Sequence, residues 1–249
     1  MRRSLLALAL AVAAAVVPGS IHAQGRAGGP PPTAQASAPI DLTGYWVAVV
    51  NEDWRYRMVT PPKGEYGGVP ITKEALQIVN NWDPTADEKA GEQCKSYGAG
   101  AVMRLPARFH ITWQDDSTLK VEVDAGTQTR LFRFAPAAAP TVPPTWQGDS
   151  TAQWERGGGR GGPPAGGSLT VLTKNMRAGY LRKNGVPYSA NATVTEYFDL
   201  SPSPGGQMLV VTTVVDDPRY LLQPLIVSSH FKKEADGSKW DPTPCSARW

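Results

Sequence analysis

Histidine and cysteine are scarce: the chain has three histidines and two cysteines in 249 residues. Two cysteines alone make a poor zinc site, so no metal or cofactor is expected. Charge is also thin, at 19% of residues, while glycine and proline number 25 and 23. That balance excludes a coiled coil or a helical repeat array. The apolar stretch Leu5 to Val17 is too short for a membrane-spanning helix, and no other segment reaches the roughly 18 apolar residues one needs. A net charge of only +3 excludes the basic footprint that nucleic acid requires, and no polybasic run suits an anionic membrane. Gly-x-Ser-x-Gly is absent, and Gly157 to Gly162 lacks the Lys-Ser/Thr of a phosphate loop. The acids Asp83, Asp87, Glu88 and Glu92 lack calcium-loop spacing and read as a solvated turn.

What is present starts with an export signal. Arg2-Arg3, the apolar stretch Leu5 to Val17 and the small residue Ala23 read as a Sec-type signal peptide cleaved after Ala23. Removing it lowers the formal net charge from +3 to about +1, because it carries two arginines and no acid. The expected location is periplasmic or secreted. In an oxidising compartment the even cysteine count favours a Cys94–Cys245 disulfide over two free thiols. Residues 24–39 form a Gly/Pro leader expected to be disordered, and 40–249 a single domain carrying a flexible Gly-rich insertion at 157–167. Ala135 to Pro144 is a Pro/Ala connector.

The domain reads as mainly β: an antiparallel barrel, with a β-sandwich as the alternative. Strands are expected at 43–50, 55–59, 108–114, 119–124, 129–134, 169–173, 193–199, 208–215 and 225–231. Thr72 reads as the N-cap of one short helix near 72–82, with Ala75, Leu76, Val79 and Trp82 on its apolar face. In the first hairpin, alternation places Phe109, Ile111 and Trp113 opposite Val123, Val121 and Leu119. His110 then faces Glu122, Arg108 faces Asp124, and Gln114 pairs with Thr118. In the second, a two-residue turn at Gly126-Thr127 sets Val121 against Phe132, Leu119 against Phe134 and Arg130 against Val123. Arg130 is then either a core-edge arginine stacked on an aromatic or a ligand anchor.

Asp41-Leu42-Thr43-Gly44-Tyr45-Trp46 resembles the Gly-x-Trp opening strand of lipocalin-like barrels, where the tryptophan plugs one end. That resemblance gives Gly44 and Trp46 structural roles. A wider pattern comprises Cys94, Gly98, Met103, Pro106, Trp146, Gly148, Ser150, Trp154, Glu155, Leu169, Val171, Thr173, Asn175, Glu196, Phe198, Asp217-Pro218, Pro224 and Cys245. It is similar to a widespread family of secreted bacterial proteins. Gly100 and Ala101 stand where that family has Pro-Arg, and His110 where it has an acid. The resemblance implies a lipocalin-like β fold and export, and no particular reaction.

Three functions compete. The first is an exported binding protein holding a small apolar or amphipathic ligand in the barrel, with Arg130, Trp54, Tyr56 and Tyr197 as ligand-binding candidates. It rests on the aromatic–basic runs Trp54-Arg55-Tyr56-Arg57 and Tyr180-Leu181-Arg182-Lys183, where arginine could fix an anionic head beside apolar surface. The second is a barrel enzyme of hydratase, cyclase or isomerase type, with His110 or His230 as acid/base and Glu122 or Glu196 as the carboxylate. The third is an accessory subunit of an exported complex, whose partner would be another protein.

Overall fold

The structure, a computed structural model, describes residues 31–134, 143–157, 166–204 and 206–248. The expected signal peptide, the first part of the expected leader, most of the 135–144 connector and the middle of the 157–167 insertion lie outside the described residues.

Eleven strands form among the described residues from short β-branched and aromatic runs; in most of them buried positions recur every second residue, while Val186–Tyr188 is buried throughout. They are β1 (Gly44–Val49), β2 (Arg108–Asp115), β3 (Thr118–Val123), β4 (Gln128–Arg133), β5 (Asp149–Arg156) and β6 (Gly167–Lys174). They continue as β7 (Gly179–Arg182), β8 (Val186–Tyr188), β9 (Thr193–Ser203), β10 (Gly206–Asp216) and β11 (Leu225–Glu234). Nine strands close a barrel in the order β1-β11-β10-β9-β6-β5-β4-β3-β2, while β7 and β8 form a separate hairpin. Closure removes the unpaired edges that a sandwich would leave. One seam is parallel, between β4 and β5, at Phe132↔Ser150 and Arg133↔Thr151. A parallel neighbour needs a long return connection, and the chain between Arg133 and Asp149 provides it.

The first hairpin keeps the expected register from Phe109↔Val123 to Trp113↔Leu119. Its turn is tighter than expected: Asp115, not Gln114, pairs with Thr118, and a bulge absorbs the extra residue. The second hairpin shifts by two residues. Val121 faces Arg130, Leu119 faces Phe132, and Val123 faces Gln128. The turn spans Asp124 to Thr127, with Gly126 at φ 78° and Thr127 at φ 49°. A shift of two preserves every face, so the inward set is unchanged, but Arg130 moves deeper into the barrel.

Along every barrel strand alternate side chains point inward. Trp46, Phe109, Ile111, Leu119, Phe132, Leu169, Phe198 and Phe231 are all essentially unexposed. Burying one such side chain contributes roughly 1.5–3 kcal/mol. Trp46 Nε1 donates to the Leu42 carbonyl at 2.9 Å, fixing the tryptophan inside. At that end of the barrel the last leader residues are ordered, contrary to expectation. Thr33 to Ser37 make a turn, Gln35 N–H donates to the Asp116 carbonyl, and Trp154 Nε1 donates to the Ala34 carbonyl.

The opposite mouth is where β1, β3, β6 and β10 end and β2, β4, β5, β9 and β11 begin, so the remaining elements gather there. They include α1 (Trp54–Arg57), α2 (Lys73–Asn81), α3 (Pro84–Lys89), the 3-10 turns Lys95–Tyr97 and Val102–Arg104, and the β7–β8 hairpin. The expected helix forms as α2: Thr72 Oγ1 accepts from Ala75 N–H, and Ala75 and Val79 are buried. Asp83, which ends α2, caps α3 by accepting from Thr85 N–H. A second apolar cluster of Val69, Val79, Leu181, Val186, Val194 and Val215 packs over this mouth. Cys94 and Cys245 are disulfide-bonded, with Cα atoms 5.1 Å apart.

Residues 55–59 do not form the expected strand. Asp53 adopts a left-handed conformation at φ 52° and turns the chain into the one-turn helix α1. Periodicity cannot separate strand from helix over four residues, and the chain reversal after β1 decides it.

Candidate functional site: an arginine-lined cleft

The site is built where α1, the Gly67–Val69 loop, the turns around Ser96–Leu105, β7 and the start of β11 meet. A cleft of about 340 Å³ is lined by Asp53, Tyr56, Arg104 and Arg182 together with Val69, Leu181, Leu225, Ile226 and Val227. It shares Tyr56, Arg104, Leu181 and Arg182 with an inner chamber of about 30 Å³, which is also lined by Arg57, Val59, Ser96, Ala101, Leu105 and Lys183. Arginines and apolar side chains therefore share the lining, with Asp53 beside them.

Each arginine is held by one part of its guanidinium. Arg57 Nε donates to the Arg104 carbonyl at 2.8 Å, and its Nη1 donates to Glu52. Arg104 Nη2 donates to Asp53 Oδ2 at 2.7 Å. The Arg182 guanidinium lies over the Tyr56 ring, 4.1 Å from its centroid. Arg57 Nη2, Arg104 Nη1 and Arg182 Nη1 are buried and have no hydrogen-bond partner among the described residues. Leaving one such donor unsatisfied costs roughly 1–3 kcal/mol, and more when it is charged. Burial lowers the pKa of Arg57 and of Arg182, and the neighbouring Arg104 charge adds to it in both. An arginine stays protonated regardless, so the three form a pre-positioned cationic fork set.

Lys183, beside them, is also buried. Its Nζ donates to Tyr97 Oη at 2.9 Å and sits over that ring. Desolvation pushes its pKa down to about 6, so it adds little positive charge at neutral pH.

The residues singled out from sequence are scattered. Tyr56 lines the cleft. Trp54 is 58% exposed on α1, outside the cleft walls. Tyr197 is exposed on the outer face of β9, between Thr170 and Thr212. Arg130 points into the barrel, where its partners are other side chains of the chain. It holds Glu196 through two hydrogen bonds, donates to Thr173 Oγ1 at 3.2 Å, and lies 4.8 Å from the Phe132 ring centroid. The core-stacking alternative for Arg130 is thus the one the structure shows, in mid-face and not at the core edge.

Both strand histidines lie on the outer surface of the barrel. His110 stacks on Tyr45, centroids 4.0 Å apart, with its Nδ1 3.4 Å from Glu122. His230 Nδ1 is 3.3 Å from Glu52. Glu196, inside, has Arg130 as its partner and no histidine. The acid/base pairing expected inside a barrel enzyme is therefore not formed, because the pleat sends His110 and His230 outward and Glu196 inward.

Arg57 and Arg182 belong to the aromatic–basic runs noticed in the sequence. Arg104 was not noticed: it stands alone in a 3-10 turn among small and apolar residues, and only the fold brings it to the other two. No helix of the described residues is long and apolar enough to cross a membrane. No protein-family model, no curated protein and no solved structure matches this chain.

Proposed function

We propose that the protein is an exported binding protein that holds a small amphipathic anion in the arginine-lined cleft at one mouth of its barrel. The observation that carries this reading is that Arg57, Arg104 and Arg182, each with a buried guanidinium nitrogen that has no hydrogen-bond partner among the described residues, all line the inner chamber, and two of them also line the apolar-walled cleft. A bound anion would satisfy all three, and charge-assisted hydrogen bonds are about twice as strong as neutral ones. The interior of the barrel is less suited, because its inward positions are filled by large apolar side chains and the Arg130–Glu196 pair.

The local charge favours a monocarboxylate over a phosphate dianion. Arg57 and Arg104 are already paired with Glu52 and Asp53, while Arg182 has no ion-pair partner within 4.0 Å among the described residues. The inner chamber agrees: a water-sized group needs roughly 10–15 Å³, so about 30 Å³ admits the two oxygens of a carboxylate. Export is supported by the Met1–Ala23 pattern and by the disulfide, which suits an oxidising compartment.

Calorimetric titration of the mature protein with octanoate tests the reading. Binding is expected, weakened about tenfold or more in Arg104→Met, which is roughly 1.4 kcal/mol or more. Octanoate that does not bind, or binds equally to wild type and Arg104→Met, overturns it.

A further inference from the structure

Eight large hydrophobic side chains are exposed among the described residues. Six of them are Trp54, Met58, Val59, Tyr66, Leu222 and Ile226. They fall on the three chain segments that wall the arginine cleft: α1 and its exit, the loop leading to Gly67–Val69, and the approach to Leu225–Val227. Leu222 and Ile226 are 73% and 65% exposed, so the cleft itself does not cover them. The Leu222 N–H donates to the Pro70 carbonyl, which ties two of these segments together. Tryptophan and methionine around an arginine-lined centre are the composition of a protein interface.

A small molecule confined to about 340 Å³ would leave Trp54, Met58, Tyr66 and Leu222, which line neither cavity, in water. An occupant that fills the cleft and covers the rim must continue outward as a chain. It must also end at the inner chamber, whose volume of about 30 Å³ leaves no room for a continuing backbone. The group at its end must be an anion of low charge. A polypeptide C-terminus has all three properties. An anionic bilayer fits less well, because Asp53 lines the cleft, Glu65 accepts from the N–H of the lining residue Gly67, and the chain has no polybasic run to draw it to a charged surface.

We propose that the occupant of the cleft is the C-terminal end of another polypeptide. Its free carboxylate enters the arginine chamber, its last side chain, which is apolar, lies against Leu181, Leu225 and Val227, and its preceding residues cover the exposed rim. This rests on the reading of the cleft as an anion site. It deepens that reading by making the amphipathic anion of the cleft the terminal residue of a protein tail. Capture of a chain terminus by backbone and arginine donors is a recurrent recognition mode.

The test compares four probes on the full mature protein. They are a fluorescein-labelled synthetic peptide ending in leucine with a free carboxylate, the same peptide as its C-terminal amide, octanoate, and vesicles of phosphatidylglycerol. The free-acid peptide is expected to bind more tightly than octanoate, and the amide about tenfold or more weakly than the free acid. The double variant Trp54→Ser/Met58→Ser changes exposed positions outside the cleft walls. It is expected to weaken the peptide about tenfold and to leave octanoate unchanged, with an unaltered thermal melt as the folding control. Octanoate binding without peptide binding overturns this inference and leaves the anion site standing. Failure of both overturns both. Equal binding of acid and amide, or rim-dependent binding to vesicles in place of peptide, overturns the C-terminal assignment.

Discussion

The Arg130 guanidinium grips both carboxylate oxygens of Glu196 inside the barrel, at 2.9 and 2.6 Å, and neither side chain has any exposed surface. The two residues sit on β4 and β9, which are not neighbours in the sheet, so the pair reaches across the lumen. Thr173 accepts from Arg130 and shares a 2.8 Å hydrogen bond with Ser150, extending a polar layer near the capped mouth. Below it lies the apolar filling of the barrel and above it the second apolar cluster.

Breaking this pair on one side strands a buried charge. Glu196→Gln is expected to cost about 3–5 kcal/mol in urea unfolding, the usual size for a halved buried ion pair. The double replacement Arg130→Met/Glu196→Leu is expected to cost clearly less than Glu196→Gln alone, because it removes both desolvated charges. A double variant as unstable as the single one would show that the pair itself, and not the stranded charge, sets the cost.

The disulfide closes a loop whose ends are 151 residues apart. Chain-entropy reasoning gives roughly 4–5 kcal/mol for a loop of that length. Cys94→Ser/Cys245→Ser should therefore unfold at markedly lower urea concentration with little change in the native circular dichroism spectrum. Equal midpoints for the oxidised wild type and the double variant would count against a stabilising role.

Lys183 links stability to pH. Its folded pKa lies near 6 because of desolvation, while an unfolded lysine holds its proton to about 10.5. Between those values the unfolded chain binds the extra proton, so this residue makes stability rise with pH across that window. Below about pH 6 the full penalty remains, and above about 10.5 it vanishes. Lys183→Met is expected to flatten the rise, read as unfolding free energy at pH 6.5, 7.5 and 8.5. A slope unchanged by the substitution would remove Lys183 from the account.

Gly126 is fixed by two constraints. Its φ of 78° is left-handed, and a Cβ there would lie 2.3 Å from the Tyr97 ring. Gly126→Ala is expected to destabilise by more than the roughly 1 kcal/mol typical of an average substitution, because the ring packs against the turn and cannot withdraw freely. A thermal melt within a degree of wild type would refute that.

Much of this protein was legible in its sequence by itself. Two-residue alternation gave the barrel strands other than β5, with their core faces, because the pleat sends neighbours to opposite sides and one side must be dry; β5, β7 and β8 were not expected, and 55–59 is no strand. The pairing of Phe109 to Trp113 with Val123 to Leu119 followed for the same reason, while the helix begun by Thr72 was legible from its cap and helical spacing, and the Cys94–Cys245 bridge from the even cysteine count. Tertiary structure decided the rest. The second hairpin could slip by two residues without exposing any apolar face, so alternation had no power over it, and Arg130 came to rest opposite Val121. Its partner Glu196 is 66 residues away on a strand that does not adjoin β4, and no local pattern encodes a contact across a lumen. Arg57, Arg104 and Arg182 lie on a one-turn helix, a 3-10 turn and a short hairpin, elements too brief to carry a period. They form a site only because closure of the barrel brings every connection at one mouth together.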